Sequence, residues 1–423
     1  PPWNHIDNLG PLHADAIARY YDGLVYVVNR YGADNIQVLD PGDSFSTVLQ
    51  FSTGAGSNPQ DICFVEADRA FVTRYDRPEL WEVDPLTGDH TDTIDLAPLA
   101  DGDGVPEMHG MAIHGGYLYV TLQRLDRDYW WIPVYPSYLA VIDLQTNELL
   151  DMDPQTPGMQ GLPLLATNPN SYIAVDPLTA DFLIGEVGDY GATDGGIERY
   201  DPNTQQSLGF VVTEETLGGD LCTWETANGI RGFASVLTQT WATSIVCFDV
   251  AGGENLGTLI TSGEYAYAHL LVDRRHGQLF VADFTYANPG IRVFDTLSLD
   301  ELSPGPISVG LYPHWLLALQ EPGSGVEDRF ARWTHGFEVW PQPASEGMSL
   351  RLRSVLSNPI DLEILDLQGR RVASLLNGQP TPGGVDLYWN GRDDRGRSLP
   401  SGTYLVRLRS REGVATRRIL LVR

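Results

Sequence analysis

The sequence predicts an all-β fold: a β-propeller, of seven blades in preference to six, followed by a small β-sandwich. Three observations carry the prediction. A unit of roughly 40 to 60 residues, built of short apolar strands, recurs before residue 320. The 44 Gly and 28 Pro of the 423-residue chain recur at intervals rather than in one tract, which is the punctuation of many strands and turns. Beyond residue 335 that repeat stops, and strands continue at sandwich spacing. The expected divisions are 1–320 for the propeller, 321–335 for a linker and 336–423 for the sandwich.

Within each repeat the second strand is an apolar run, as in Leu24-Val25-Tyr26-Val27-Val28 and Tyr117-Leu118-Tyr119-Val120. The third strand alternates with period two and closes on Asp, as in Ile36-Gln37-Val38-Leu39-Asp40, Leu139-Ala140-Val141-Ile142-Asp143 and Ile291-Arg292-Val293-Phe294-Asp295. Period-two alternation marks a half-buried strand. A closing Asp suits a turn, because its carboxylate reaches backbone N–H groups two residues on. Six such third strands can be found, ending at Asp40, Asp84, Asp143, Asp201, Asp249 and Asp295. His314-Trp315-Leu316-Leu317-Ala318-Leu319 reads as a seventh first strand, with Asn4–Asn8 able to supply an outer strand that closes the ring. Closure matters because it removes exposed sheet edges. The pattern resembles the YVTN and NHL-type propeller families over residues 13 to about 320. That resemblance implies a fold and leaves the activity open, since such folds host many.

Charge narrows the function. The chain has no lysine, and its net charge is −29. Up to residue 320 there are 12 Arg against 44 acidic residues, and beyond it 15 Arg against 12. So acidic a body excludes nucleic-acid binding, which needs a positive footprint. Without lysine there is no Schiff-base chemistry. No run of about 18 apolar residues is present, so no membrane-spanning helix is expected. The start at Pro1-Pro2-Trp3 reads as processed or trimmed. Cys63, Cys222 and Cys247 are too few for a disulfide framework; a Cys222–Cys247 bridge and three free thiols are both open readings.

In the tail, Asp366-Leu367-Gln368-Gly369-Arg370-Arg371-Val372 resembles a hairpin of the C-terminal sorting domains of the type IX secretion system. Trp389-Asn390-Gly391, followed by Leu399-Pro400-Ser401-Gly402-Thr403-Tyr404, resembles the Ig-like domain of flagellar hook-capping proteins. The usual opening of the sorting family is replaced by Trp340-Pro341-Gln342-Pro343. The resemblance implies export by a secretion machinery that acts through this domain, and an extracellular or outer-surface location.

Two sets of residues are candidate sites. The starts of the first strands would ring the channel mouth with Asp15, Asp61, His109, Asn170, Asp220, His269 and His314. Mixed His and Asp donors suit Zn²⁺ or another divalent ion, and Asp alone suits Ca²⁺. A compact metal motif is missing, and such residues can equally bond backbone at the channel. The loops between second and third strands carry Tyr31, Tyr75, Tyr129, Trp130, Trp131, Tyr190, Trp241 and Tyr286. Aromatic faces with polar edges hold sugars, peptides and partner loops. The long insertion Arg124–Pro136 is the densest of these, and long connections are often functional. The segments Asp101–Gly104 and Gly188–Gly196 are acidic and Gly-rich but lack the EF-hand pattern.

No nucleophile elbow, P-loop or dinucleotide fingerprint is present. The leading expectation is therefore a non-enzymatic, secreted or surface-displayed binding protein for a glycan, peptide or protein. A metal-dependent lactonase- or lyase-like enzyme, and a self-assembling subunit of an extracellular layer or fibre, are the alternatives.

Overall fold

A computed structural model describes residues 9–176, 179–227 and 231–319, and in the C-terminal part 337–340, 348–352, 356–365, 370–381, 385–409 and 414–421. The chain divides into two compact units, which meet in sequence at Gln320 and Glu321. Both are β-structured: the first is a β-propeller and the second an Ig-like sandwich. The longest α-helix among the described residues is the single turn Glu214–Leu217.

Six antiparallel sheets build the propeller. The first blade runs Ala16–Tyr21, Leu24–Asn29, Asn35–Asp40 and Ser46–Ser52, each strand paired to the next. Burial is heaviest in the second and third strands and lightest in the outer fourth, where Ser46–Ser52 is mostly accessible. The second blade repeats this with Pro59–Glu66, Arg69–Arg74, Glu79–Val83 and His90–Asp95. Blade three uses Met108–His114, Tyr117–Leu122 and Tyr138–Asp143, with the short Glu148–Leu149 outside. Blade four opens on the two-residue Ala174–Val175 and continues through Phe182–Glu186, Gly196–Asp201 and Gln206–Thr213. Blade five is Asp220–Ala227, Arg231–Leu237, Thr243–Asp249 and Asn255–Thr261. Blade six is Tyr267–Asp273, Gln278–Asp283 and Gly290–Asp295, its outer side met only by the bridges Ile291 to Ile307 and Phe294 to Glu301.

The closing Asp of every third strand makes the expected turn. Asp40, Asp84, Asp143, Asp201 and Asp295 each accept a backbone N–H from two residues on, at 2.7–2.8 Å. Asp249 accepts from Gly252, three residues on, at 2.5 Å. Apolar seams then join neighbouring blades. Tyr26, Val28 and Ile36 pack on Ile62, Ala70 and Val72 between the first two blades. Phe233 and Cys247 pack on Leu270 and Leu279 between the last two.

Beside the two-stranded pair Leu125–Asp126 and Ile132–Pro133, no seventh blade sheet is found among the described residues, so their blade count is the smaller of the two expected. His314–Leu319 forms no strand, and Asn4–Asn8 lies outside the described residues. The physical reason lies in what this segment does instead. Its Trp315 ring packs on His269, with centroids 3.8 Å apart. The Leu316 N–H donates to His269 Nδ1 at 3.3 Å. Leu317 packs on Val25, Val27 and Leu39 of the first blade. The segment spends its groups on the channel wall and on blade one, and so bridges blades six and one without pairing as a strand.

The C-terminal unit has two sheets. One holds Phe337–Trp340, Met348–Leu352 and Val385–Trp389, and the other Arg371–Thr381, Leu356–Leu365, Gly402–Arg409 and Val414–Leu421, in that spatial order. Met348, Leu350, Leu362, Ile364, Trp389, Tyr404 and Val406 share its core. Trp389 Nε1 donates to the Arg392 carbonyl at 2.9 Å, and the Tyr404 hydroxyl to the Pro400 carbonyl at 3.0 Å. The motif residues of this tail are thus structural corners. Asp366–Gly369, the linker 321–335 and Pro341–Pro343 lie outside the described residues.

Candidate functional site

Five of the seven expected channel residues meet in one cavity of about 150 Å³. Asp61, His109, Asn170, His269 and His314 all line it. Asp15 and Asp220 do not. Asp15 holds the Arg30 guanidinium, whose Nε donates to Asp15 Oδ1 at 3.0 Å. Asp220 accepts from the Gly191 N–H at 2.7 Å. Asp61 is also committed: its Oδ1 accepts from Arg19 Nε at 2.8 Å and from the Ile62 N–H at 2.9 Å, and its Oδ2 from the Met111 N–H at 3.2 Å. Among the described residues no three His, Cys, Asp or Glu side chains converge as metal donors. Asp15 and Asp61 are engaged by arginine and backbone, and Asp220, which keeps Oδ1 without a partner, lies outside the cavity lining, so Asp61 is the one carboxylate among the residues that line it.

Burial disfavours the charged form of the three imidazoles. Burial pushes His109 down to about 3, and Arg30 and Arg19 add repulsion. Burial likewise lowers His269 to about 3, with Arg19 and His314 contributing. His314 is lowered by burial and by Arg30, against the pull of Asp15. Arg19 and Arg30, each ion-paired to a carboxylate, thus stand close enough to the imidazoles to disfavour their protonation. Sequence reading missed those arginines, and also Tyr172 and Trp224, which complete the wall. The signal was available: with only 12 Arg before residue 320, an Arg inside the apolar first strand Ala16–Tyr21 is out of pattern.

Thiols offer no nucleophile. Cys63, Cys222 and Cys247 are unpaired, so Cys222 and Cys247 form no bridge. Burial pushes Cys222 up to about 12 and raises the other two. The acidic Gly-rich segments are bonded as turns, Asp103 accepting from the Val105 N–H and Asp194 from the Asp189 N–H.

The aromatic set occupies the loops between second and third strands, one loop on each blade. Antiparallel pairing places all six loops at the end where the first strands begin. Tyr31, Tyr129, Trp130, Tyr190, Trp241 and Tyr286 are between 68 and 92% exposed, and Trp131 is 46% exposed. Tyr75 is half-buried; its hydroxyl donates to Gln123 Oε1 at 2.8 Å, and its ring stacks on Trp131 at 6.2 Å. The Arg124–Pro136 insertion is anchored at its base and open at its tip. Leu125–Asp126 pairs with Ile132–Pro133. Asp126 Oδ1 caps the turn by accepting from the Asp128 and Tyr129 N–H groups. Arg127 Nε donates to the buried Glu107 at 2.6 Å, and its guanidinium lies 4.7 Å from the Trp131 ring centre. Trp130, Trp131 and Trp241 have φ of 63°, 61° and 62°, the left-handed region that bulky residues rarely adopt.

Comparison with known proteins supports this architecture. Residues 342–413 match the FlgD Ig-like domain. No curated protein matches the chain. Among solved structures, hydrazine synthase of Kuenenia stuttgartiensis is similar at 12% identity and a TM-score of 0.51, over 70% of this chain and 80% of that one. A provisionally assigned 6-phosphogluconolactonase of Bacteroides fragilis is similar at 15% identity and a TM-score of 0.50, over 74% of this chain and 88% of that one. At such identities the likeness extends to the fold alone.

Proposed function

We propose that this chain is an extracellular or cell-surface binding protein whose propeller holds a glycan, peptide or protein on its loop face. The observation that carries the reading is the aromatic rim: every blade offers an aromatic residue from the same loop, and all but Tyr75 and Trp131 are more than two-thirds exposed. Exposed rings concentrated on one face are what an interaction surface presents. They supply large, stiff contact area with little rotamer entropy to lose. The left-handed Trp130, Trp131 and Trp241 strengthen the reading, because backbone strain of this sort clusters at binding sites.

In this reading the C-terminal unit serves export or attachment. Its match to the FlgD Ig-like domain supports an Ig-like module, and a role in type IX secretion is the finer part of the proposal. Removing residues 336–423 in a type IX-competent host is expected to leave the propeller inside the cell; unchanged export of the truncated chain would exclude that role. For the loop face, the full chain is screened on immobilised glycan and peptide arrays beside the Trp130→Ala/Trp131→Ala double variant. Selective retention that the double variant loses, with unchanged melting, is the expected result. No retention by the unaltered chain, or equal retention by both, would refute the reading.

A further inference from the structure

We propose that the channel cavity is a second binding site, separate from the loop face, for a small carboxylate. The inference rests on hydrogen-bonding groups in the cavity that the protein leaves unused. Arg19 bonds Asp61 through Nε, and its two terminal nitrogens make no protein hydrogen bond among the described residues. The guanidinium lies 4.7 Å from the Tyr172 ring centre and 5.9 Å from that of Trp315. Aromatic flanks fix its plane, which leaves a fork of N–H groups of the geometry that a carboxylate accepts.

Two more donors lie beside it. His269 is 3% exposed, and its Nδ1 accepts from the Leu316 N–H at 3.3 Å. The neutral ring must then carry its proton on Nε2, and Nε2 has no partner. Trp315 Nε1, on the ring packed at a tilt against His269, also has none. A buried donor without an acceptor costs free energy, so two such donors next to a half-bonded guanidinium describe a place for an anion that accepts from all three. His109 Nδ1 is a further unpartnered atom.

Other occupants fit less well. A divalent cation would meet two arginines and find the carboxylates engaged. A neutral polyol would leave the guanidinium unmatched. The cavity, at about 150 Å³, suits a ligand of a few non-hydrogen atoms and falls below the about 300 Å³ at which sites for drug-sized molecules begin.

The test is calorimetric titration of the full chain with glycolate, acetate and sodium chloride at low ionic strength. Glycolate is expected to bind saturably and more tightly than acetate, with chloride giving no saturable heat. Trp315→Phe removes one N–H while keeping a ring, and is expected to weaken glycolate about tenfold. His269→Gln is a second variant with the same expectation. Trp130→Ala/Trp131→Ala should leave glycolate binding unchanged, which separates this site from the loop face. The proposal is overturned if neither carboxylate binds, if chloride binds as tightly as glycolate, or if a folded Trp315→Phe or His269→Gln binds glycolate as the unaltered chain does.

Discussion

Replacing Trp130 by glycine should leave the propeller about as stable as before, while abolishing loop-face binding. Trp130 is 92% exposed, with φ 63° and ψ 30°. Holding an L-residue in the left-handed region costs about 1–2 kcal/mol, and glycine is free of that cost. Against it stands the extra freedom of glycine in the unfolded chain, about 0.4–1 kcal/mol. An aromatic side chain of about 250 Å² that is nine-tenths exposed loses about 0.5 kcal/mol of burial at 25 cal/mol/Å². The balance lies between about 0.5 kcal/mol against glycine and about 1 kcal/mol in its favour. Differential scanning calorimetry of the full chain reads the propeller transition, and array retention reads binding. Stability kept and binding lost together would mean that the tryptophan is present for a partner. A loss of more than about 2 kcal/mol would refute the reasoning, because it would make Trp130 part of the packed structure.

Three further outcomes follow from the geometry. Trp389→Ala should destabilise the Ig-like unit by about 3–5 kcal/mol, since the ring is 2% exposed, whereas Tyr404→Phe, which keeps the ring and loses the bond to the Pro400 carbonyl, should cost about 1 kcal/mol; equal losses in urea melts would contradict this. Gly110→Ala would place a Cβ 2.6 Å from the Tyr172 Cα and force the inner edges of blades three and four apart, costing about 1–3 kcal/mol; an unchanged melting temperature would be inconsistent with the close approach. Stability should peak between about pH 4.5 and pH 6.5. Burial raises Glu107 and Glu214 to about 7, so what they contribute is complete below about 4.5 and fades as pH rises through 7. His109 and His269, lowered to about 3, contribute stability above about 6.5 that is lost as pH falls toward 3. A melting temperature that climbs steadily from pH 5 to pH 8 would contradict these assignments.

What the sequence discloses depends on how local the physics is. The six closing aspartates were legible because an Asx turn is settled within three residues. The rim was legible too, since loops at a fixed offset in each repeat must emerge at one end. Ring closure was not. His314–Leu319 has the composition of a strand, but its fate is decided by His269, 45 residues earlier, which takes both the Trp315 ring and the Leu316 N–H. The chemistry of the channel was half legible. Asp61 and the histidines could be placed from the repeat, yet the partner that occupies Asp61 is Arg19, 42 residues away on another blade. A carboxylate that looks like a metal donor in sequence is thus an arginine anchor in the fold.

The most direct test of the loop-face account is ¹⁹F NMR of the full chain labelled with 5-fluorotryptophan, each resonance assigned by single substitution, during titration with the glycan or peptide retained on the array. The account predicts that the signals of Trp130, Trp131 and Trp241 shift with saturation while that of Trp389 stays fixed. Shifts confined to tryptophans away from the loops, with Trp130, Trp131 and Trp241 unmoved by a ligand that binds, would contradict it.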